Sequence, residues 1–472
     1  MPTGSRRPWI SSTDPPQRTA QARVSDRPTQ RGREGSLDAP TRHALDWQSP
    51  AFWDPAALAQ ELERVFDICH GCRRCFSLCN SFPVLFDHVD QSPTGEVASL
   101  PKEAGWEVVD HCYLCDMCYM SKCPYVPPHE WNVDFPHLML RAKAVRFRDR
   151  GAPFRDRLLS STDVVGRIAG IPVVREIVNA TNRSKFGRKM LDRVLGVHPD
   201  APLPAFHGDT FRRREAARPQ PAIEPVATAS TTGRVGLFAT CYGNRNEPDI
   251  VEDLVAVLEH NGIPVTLAAE ERCCGMPKLE LGDLEAIARL KERNIPALVA
   301  LVDSGHDILA AIPSCVLMFK RELPLMFPDD ADVQRVARRI FDPFEYLMQR
   351  HAEGRLRTDF KASLGRVAYH VPCHQRVQNI GLKTRDLLAL VPGTELTTIE
   401  RCSGHNGTYA VKREFHDVSM KIAQPVVQRA KAAAPAHLAS DCPMAGQQIA
   451  AGFAGQLEPE HPLRLLRHAY GI

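Results

Sequence analysis

Eight of the fifteen cysteines lie between Cys69 and Cys123, in two similar combs. The first is Cys69, Cys72, Cys75 and Cys79. The second is Cys112, Cys115, Cys118 and Cys123, closed by Pro124. Three thiolates spaced by two residues reach one cubane iron–sulfur cluster from a single tight loop, and the fourth must come from elsewhere. With two combs in tandem, each supplies the other's fourth ligand. The expected sets are therefore Cys69, Cys72, Cys75 and Cys123 for one [4Fe-4S] cluster and Cys112, Cys115, Cys118 and Cys79 for a second, with iron held through these cysteines. Zinc draws on pairs of ligands rather than triplets with a trailing fourth. A zinc-stabilised, non-catalytic scaffold is the bland alternative, and colour separates the two. Disulfides fit poorly, because fifteen is odd and the combs are too tight for ordinary pairing geometry.

The other seven cysteines form a repeat. Cys241, Cys273-Cys274-Gly275 and Cys315 correspond to Cys373, Cys402-Ser403-Gly404 and Cys442, at offsets of 132, 129 and 127 residues. Each cysteine follows a short apolar run of strand character, and helical spacing separates the runs. In the first module these are residues 234–239, 264–268 and 307–312; in the second, 367–371, 396–399 and 437–440. Alternating strands and helices predict a parallel α/β sheet in each module. Ligand sites in such sheets lie beyond the carboxyl ends of the strands, where all seven cysteines fall. Helix N-termini in those loops favour thiolates and anionic clusters. His370, His374 and His405 flank Cys373 and Cys402, with a ligand or proton-donor role set against that of ordinary core histidines.

The Cys-Cys-Gly motif with a cysteine before and after it resembles the cysteine-rich CCG domain. That domain occurs twice in the B subunit of heterodisulfide reductase, in the C subunit of anaerobic glycerol-3-phosphate dehydrogenase and in the iron–sulfur subunit of glycolate oxidase. The last two also carry an upstream two-cluster ferredoxin domain, the order found here over residues 55 to 470. The stretch around Leu158 to Pro204 looks closest to the glycerol-3-phosphate dehydrogenase subunit. The resemblance implies a multidomain α plus α/β protein, a helical dicluster ferredoxin domain followed by two α/β CCG domains. It also implies a flavin-bearing dehydrogenase partner. The family's fuller pattern ends C-x2-C. Here Met318 and Ala445 stand in the last position, and Ser403 replaces the second cysteine of the pair. Cys241, Cys273, Cys274 and Cys315 remain for a third cluster. Cys373, Cys402 and Cys442 are an incomplete set that needs Ser403, His405, His374 or an exogenous ligand.

Around these sites the sequence sets out five regions: a disordered tail over 1–50, the ferredoxin-like region over 51–150, a helical linker over 151–232, and the two modules over 233–355 and 356–472. The tail is rich in Arg, Ser, Thr, Pro and Gln and too poor in apolar residues to order. Arg6-Arg7 is followed by no apolar stretch, so no export signal is read there. Helices are predicted over 55–67, leading into the first comb, and over 133–148. The basic run Arg141, Lys143, Arg146, Arg148 and Arg150 is read as a solvated face, with partner contact as the sharper alternative. Residues 153–215 are short amphipathic pieces with interspersed basic residues. They are read either as helices packed at a domain junction or as a contact for a membrane surface or partner. Residues 216–232 read as a flexible linker.

In a chain of 472 residues, a net charge of +3 argues against a nucleic-acid groove, and no run of twenty apolar residues predicts a spanning helix. Clustered cysteines fit a reducing cytoplasm, with a peripheral membrane or quinone contact left open. No Walker loop, GxGxxG fingerprint or Ser–His–Asp set is present. Electrons must therefore enter and leave through clusters or a partner. The expected function is an iron–sulfur electron-transfer subunit relaying between a flavin dehydrogenase and a quinone or thiol/disulfide acceptor. The alternative is a disulfide or persulfide reductase whose site is the first module, with Cys273 and Cys274 as its catalytic candidates.

Overall fold

A computed structural model describes residues 39–121 and 123–472. The expectation for residues 1–38 lies outside the described residues. Residues 39–50, expected as the end of a disordered tail, are instead docked: Leu45 is buried, its N–H donates to the Leu325 carbonyl at 2.8 Å, and the Trp47 indole donates to the Met326 carbonyl at 3.0 Å. Two apolar side chains and one buried arginine anchor a stretch whose average composition hides them.

The comb region is helical. Helix α1 (Pro55–Cys72) starts where Asp54 caps the Ala56 N–H and Pro55 takes a position needing no donor. It runs five residues beyond the predicted end and delivers Cys69 and Cys72 directly. Helices α2 (Ser81–Asp90) and α3 (Lys102–His111) bury Phe82, Leu85, Phe86, Val89, Val108 and Val109 between the combs. The short α4 (Met117–Ser121) follows the second comb, and α5 (Phe135–Arg150) packs on α1. The basic run of α5 divides: Arg148 and Arg150 are exposed, while Arg141, Lys143 and Arg146 turn back onto the protein. Arg141 donates to the Phe52 carbonyl at 2.7 Å, Lys143 to the Cys112 carbonyl and Arg146 to Asp110, while the Arg148 guanidinium lies 4.7 Å from the Trp53 ring centre.

Five helices follow: α6 (Phe154–Leu159), α7 (Thr162–Ala169), α8 (Pro172–Arg183), α9 (Lys185–Leu195) and α10 (Phe211–Ala217). The stretch expected as a flexible linker is tied down as a strap. Arg218 forks onto Glu215 and Glu259, Arg350 donates to the Val226 carbonyl at 3.0 Å, and Ala229 N–H donates to Glu353 at 2.7 Å.

Each module is built on a four-stranded, all-parallel sheet. The first holds β1 (Val235–Leu237), β2 (Val265–Leu267), β3 (Asp307–Leu309) and β4 (Ile340–Phe341) in the order β2-β1-β3-β4. The second holds β5 (Gly365–His370), β6 (Thr394–Ile399), β7 (His437–Ser440) and β8 (Pro459–Glu460) in the order β6-β5-β7-β8. The two orders are the same, so the cysteine repeat is a repeat of architecture. Strands β4 and β8 were not expected; at two residues each they carry no readable alternation. Parallel pairing requires crossovers, which helices supply, and one further helix follows the last strand of each module. In the first module these are α11 (Cys241–Arg245), α12 (Pro248–His260), α13 (Met276–Leu281), α14 (Leu284–Asp303), α15 (Pro313–Leu317), α16 (Leu323–Met326), α17 (Ala331–Arg339) and α18 (Pro343–Ala352). In the second they are α19 (Cys373–Arg376), α20 (Lys383–Leu388), α21 (Arg413–Ala432), α22 (Pro443–Ala451) and α23 (Pro462–Tyr470). The comb region and the first module share one continuous apolar core, from Phe66 and Phe82 through Met139 to Ile287 and Phe319. Among the described residues no helix is long and apolar enough to cross a membrane.

Candidate redox centre

The comb cysteines gather into two groups of four. Burial, then the sulfurs of Cys123, Cys75 and Cys72, push the Cys69 thiol well above its ordinary range. Cys123, raised by burial, has Cys72 beside it. In the second group, burial followed by Cys112 and Cys115 raises Cys79, and burial lifts Cys112 to about 12 against the pull of Lys143. Cys118 is raised by burial and by Cys75, Cys115, Cys112 and Cys79, so it also marks where the two groups adjoin. One pocket is lined by Cys79, Cys112, Cys115 and Cys118 together with Phe82 and Phe135. Four thiols lining one pocket suit a polynuclear centre that takes them as thiolates. Among the described residues no three His, Cys, Asp or Glu side chains close on a single point as ligands of one metal ion do.

Both comb loops use the same turn. Arg73 and Asp116 each follow the second cysteine of their comb, and both are left-handed, at φ 52° and 59°. Leu114 is left-handed as well, at φ 55°. Such backbone costs about 1–3 kcal/mol for a side-chain-bearing residue and persists only where the surroundings impose it. Asp116 is held by its buried pair with Arg42, whereas Arg73 pairs with Asp90 at the surface.

The second module's cysteines do not all face one site of their own. Cys373 is hydrogen-bonded to Cys115 and, ahead of burial, is the largest influence raising that thiol. Cys402 lies near Cys115 and Cys79, and its Sγ is 3.6 Å from the Tyr113 hydroxyl. A ring stack secures this junction: the His111 Nδ1 and Tyr409 hydroxyl are 2.7 Å apart, and Tyr409 stacks on Phe415. Cys442 sits elsewhere, near Cys315, with burial raising it to about 11.

The first module's four cysteines do stay together. Thiols of Cys241 and Cys274 donate to Cys273 and, with Thr162 and the Gly275 N–H, hold it well below its ordinary value against burial. Cys241 and Cys274 are correspondingly raised. Within the set the thiolate is therefore favoured at Cys273 over its buried neighbours. Gly275 at φ +104° makes the turn into α13, a conformation that favours glycine. Helix α7 covers the set. Cys241 Sγ donates to Thr162 Oγ1 at 3.4 Å, and the Cys273 N–H donates to Asp163 at 2.6 Å.

The three histidines divide. His370 is spanned by Ser440 Oγ and the Arg401 carbonyl, each at 3.0 Å, and is a satisfied core residue. His374 and His405 are neighbours, each lowered to about 4 by burial. Both ring nitrogens of His405 are buried without a protein partner among the described residues. Ser403 is buried too, but no hydrogen bond among the described residues places it as a ligand.

Spacing gave no sign of the charged cluster behind the second comb. Arg42 pairs with Asp116 at 2.6 Å, Asp134 at 2.8 Å and Glu322 at 3.6 Å, and His137 bridges to Glu322 at 3.3 Å.

The CCG "Cysteine-rich domain" profile matches residues 235–320 and 367–449, one match per sheet. The chain is 28% identical over 342 residues to the C subunit of anaerobic glycerol-3-phosphate dehydrogenase of Escherichia coli, covering 72% of this chain and 82% of that one. It is 26% identical over 355 residues to the B subunit of fumarate reductase (CoM/CoB) of Methanothermobacter marburgensis, covering 71% and 59%. It is 30% identical over 187 residues to "Lactate utilization protein A" of Oceanobacillus iheyensis, covering 38% and 73%. The repeated cysteine modules and these relatives agree: this chain belongs to the CCG-domain iron–sulfur oxidoreductase family.

Proposed function

We propose that this chain is the electron-transfer component of a cytoplasmic redox complex, with residues 51–150 as its dicluster ferredoxin domain. The observation that carries the reading is the grouping of the eight comb cysteines into two largely half-buried fours that adjoin at Cys75 and Cys118. Bound there, two [4Fe-4S] clusters supply one-electron transfer. The chain's own residues hold the thiolates, exclude water with Phe82 and Phe135, and set charge with Arg42 and Lys143. The donor is a flavin-containing dehydrogenase subunit, a reading supported by the dehydrogenase and reductase subunits among the relatives. The acceptor is a quinone or a thiol/disulfide pair.

Iron and acid-labile sulfide, measured on protein purified without oxygen, test this. About eight iron atoms per chain, with EPR of interacting cubanes in the reduced sample, are expected. A colourless protein containing zinc would sink the proposal. One observation favours a second reading: Cys241, Cys273, Cys274 and Cys315 gather in one set, with Thr162 on Cys241 and Asp163 on the Cys273 N–H, the kind of thiol set a disulfide or persulfide reductase would need. Turnover of a disulfide by the isolated chain with reduced viologen, lost in Cys274→Ser, would favour that reading, as would about twelve irons.

A further inference from the structure

The most exposed apolar surface belongs to neither cysteine site. Of the thirteen large apolar side chains exposed among the described residues, nine lie between Phe154 and Val194. They form stripes at helical spacing. Helix α7 carries Val164 and Ile168, α8 carries Val173 and Ile177, and α9 carries Phe186, Met190 and Val194, with Ile171 between α7 and α8. Val173 is 70% exposed, Phe186 79% and Val194 73%. Helix α7 packs on α8 and α8 on α9, so the stripes belong to neighbouring helices. On a helix of a soluble fold such stripes ordinarily face the core. Here they face solvent, and the inward positions are small or specially bonded: Gly166, Ala169, Gly187 and Arg188. Large exposed apolar patches mark interaction sites.

Charge indicates the occupant. Every acid of this segment is engaged: Asp156 with Arg155, Asp163 with the Cys273 N–H, Glu176 with Arg175 and Asp192 with Arg413. Arg157, Arg167, Arg183, Lys185, Lys189 and Arg193 are exposed, and none has an ion-pair partner among the described residues. Lys185, Lys189 and Arg193 each precede one member of the α9 stripe by a residue, so the unpaired charge flanks the apolar face. An apolar stripe edged by lysine and arginine, on helices too polar to span, is the pattern of a helix lying in an anionic membrane interface.

We propose that α7, α8 and α9 form a docking face for an anionic lipid bilayer. The same α7 whose stripe faces outward places Thr162 and Asp163 on Cys241 and Cys273. Ile168 is six residues from Thr162, about 9 Å along the axis. Docking therefore sets the first module's cysteines beside the bilayer surface. The inference goes beyond the relay reading and needs no cluster to be loaded.

Flotation of the full chain with phosphatidylcholine vesicles, with and without phosphatidylglycerol, tests it. The chain should float with the anionic vesicles, and less as salt is raised. Lys185→Gln/Lys189→Gln/Arg193→Gln should lower partitioning by about a hundredfold, at ~1 kcal/mol per basic residue. Phe186→Ser/Met190→Ser/Val194→Ser should abolish it. These side chains are exposed, so both variants should keep the parent circular dichroism, Tm and iron content. A parent chain that stays out of the anionic vesicles, or an apolar variant that floats equally well, overturns the proposal. So does a dimer in solution, dissociated by the apolar substitutions, without vesicle binding, which would give the face to a second copy. Iron content on the same samples keeps the outcomes apart, since vesicle binding by an iron-free chain would sink the relay reading and leave this one standing.

Discussion

At the scale of single residues, the most consequential side chain outside the cysteines is Arg42, which faces three carboxylates behind the second comb. Removing one partner of a buried ion pair costs about 3–5 kcal/mol, because the rest is left uncompensated. Arg42→Ala should lower Tm by that equivalent and reduce iron retention. Lysine should restore it only in part, since it cannot fork onto Asp116 and Asp134 together. Histidines set the acid limit. His370 and His461 are buried and lowered to about 4. Between that value and the unfolded value near 6.5 the unfolded chain binds more protons, so stability rises with pH and is lost on acidification through this window. Each site contributes about 3 kcal/mol. Tm should fall steeply from pH 6.5 to pH 4, and His461→Gln should flatten the fall. The two comb groups were legible from spacing, because thiols two residues apart in a tight loop are brought together locally. Arg42 was not, since its partners lie 74 and 92 residues away and pair through tertiary structure.

At the scale of elements, two glycines show how closely the pieces are seated. A Cβ on Gly282, at φ +83°, would lie 2.6 Å from the Lys143 carbonyl carbon, so α13 meets the backbone of α5 there. A Cβ on Gly404, at φ +77°, would lie 2.2 Å from the Ser419 carbonyl oxygen in α21. Gly282→Ala and Gly404→Ala should each destabilise by roughly 2–4 kcal/mol, through strain plus overpacking, read as a drop in Tm. The sequence showed the elements that carry strong patterns: α1, α5, six of the strands, and the offset between modules. It misled where average composition was used. The strap before β1 is rich in Ala, Thr and Pro, yet the carboxylate of Glu353 and the guanidinium of Arg350 fix it. The basic face of α5 was misread at Arg141, Lys143 and Arg146 but not at the exposed Arg148 and Arg150, because nothing in a lysine's neighbours announces a carbonyl of the second comb.

At the scale of the whole molecule, the second comb and the second module should respond as one unit. His111, Tyr113, Tyr409 and Phe415 form their shared junction, and Cys373 and Cys402 lie against the comb's sulfurs. Cys112→Ser should therefore do more than lower iron content. Amide exchange over residues 402–416, far away in sequence, should quicken, while exchange in β1 and β3 should not. The two sheets share one strand order, yet their cysteines point to different neighbours: two toward the second comb, one toward Cys315. A duplicated fold has thus lost its symmetry of use. The copies are not interchangeable, and a chimera carrying the first module twice would keep every strand and still lack Tyr409 and Phe415, the rings that secure the second comb. Duplication supplied a spare scaffold, and the spare became a connector, so the molecule has a front and a back that its architecture alone does not distinguish.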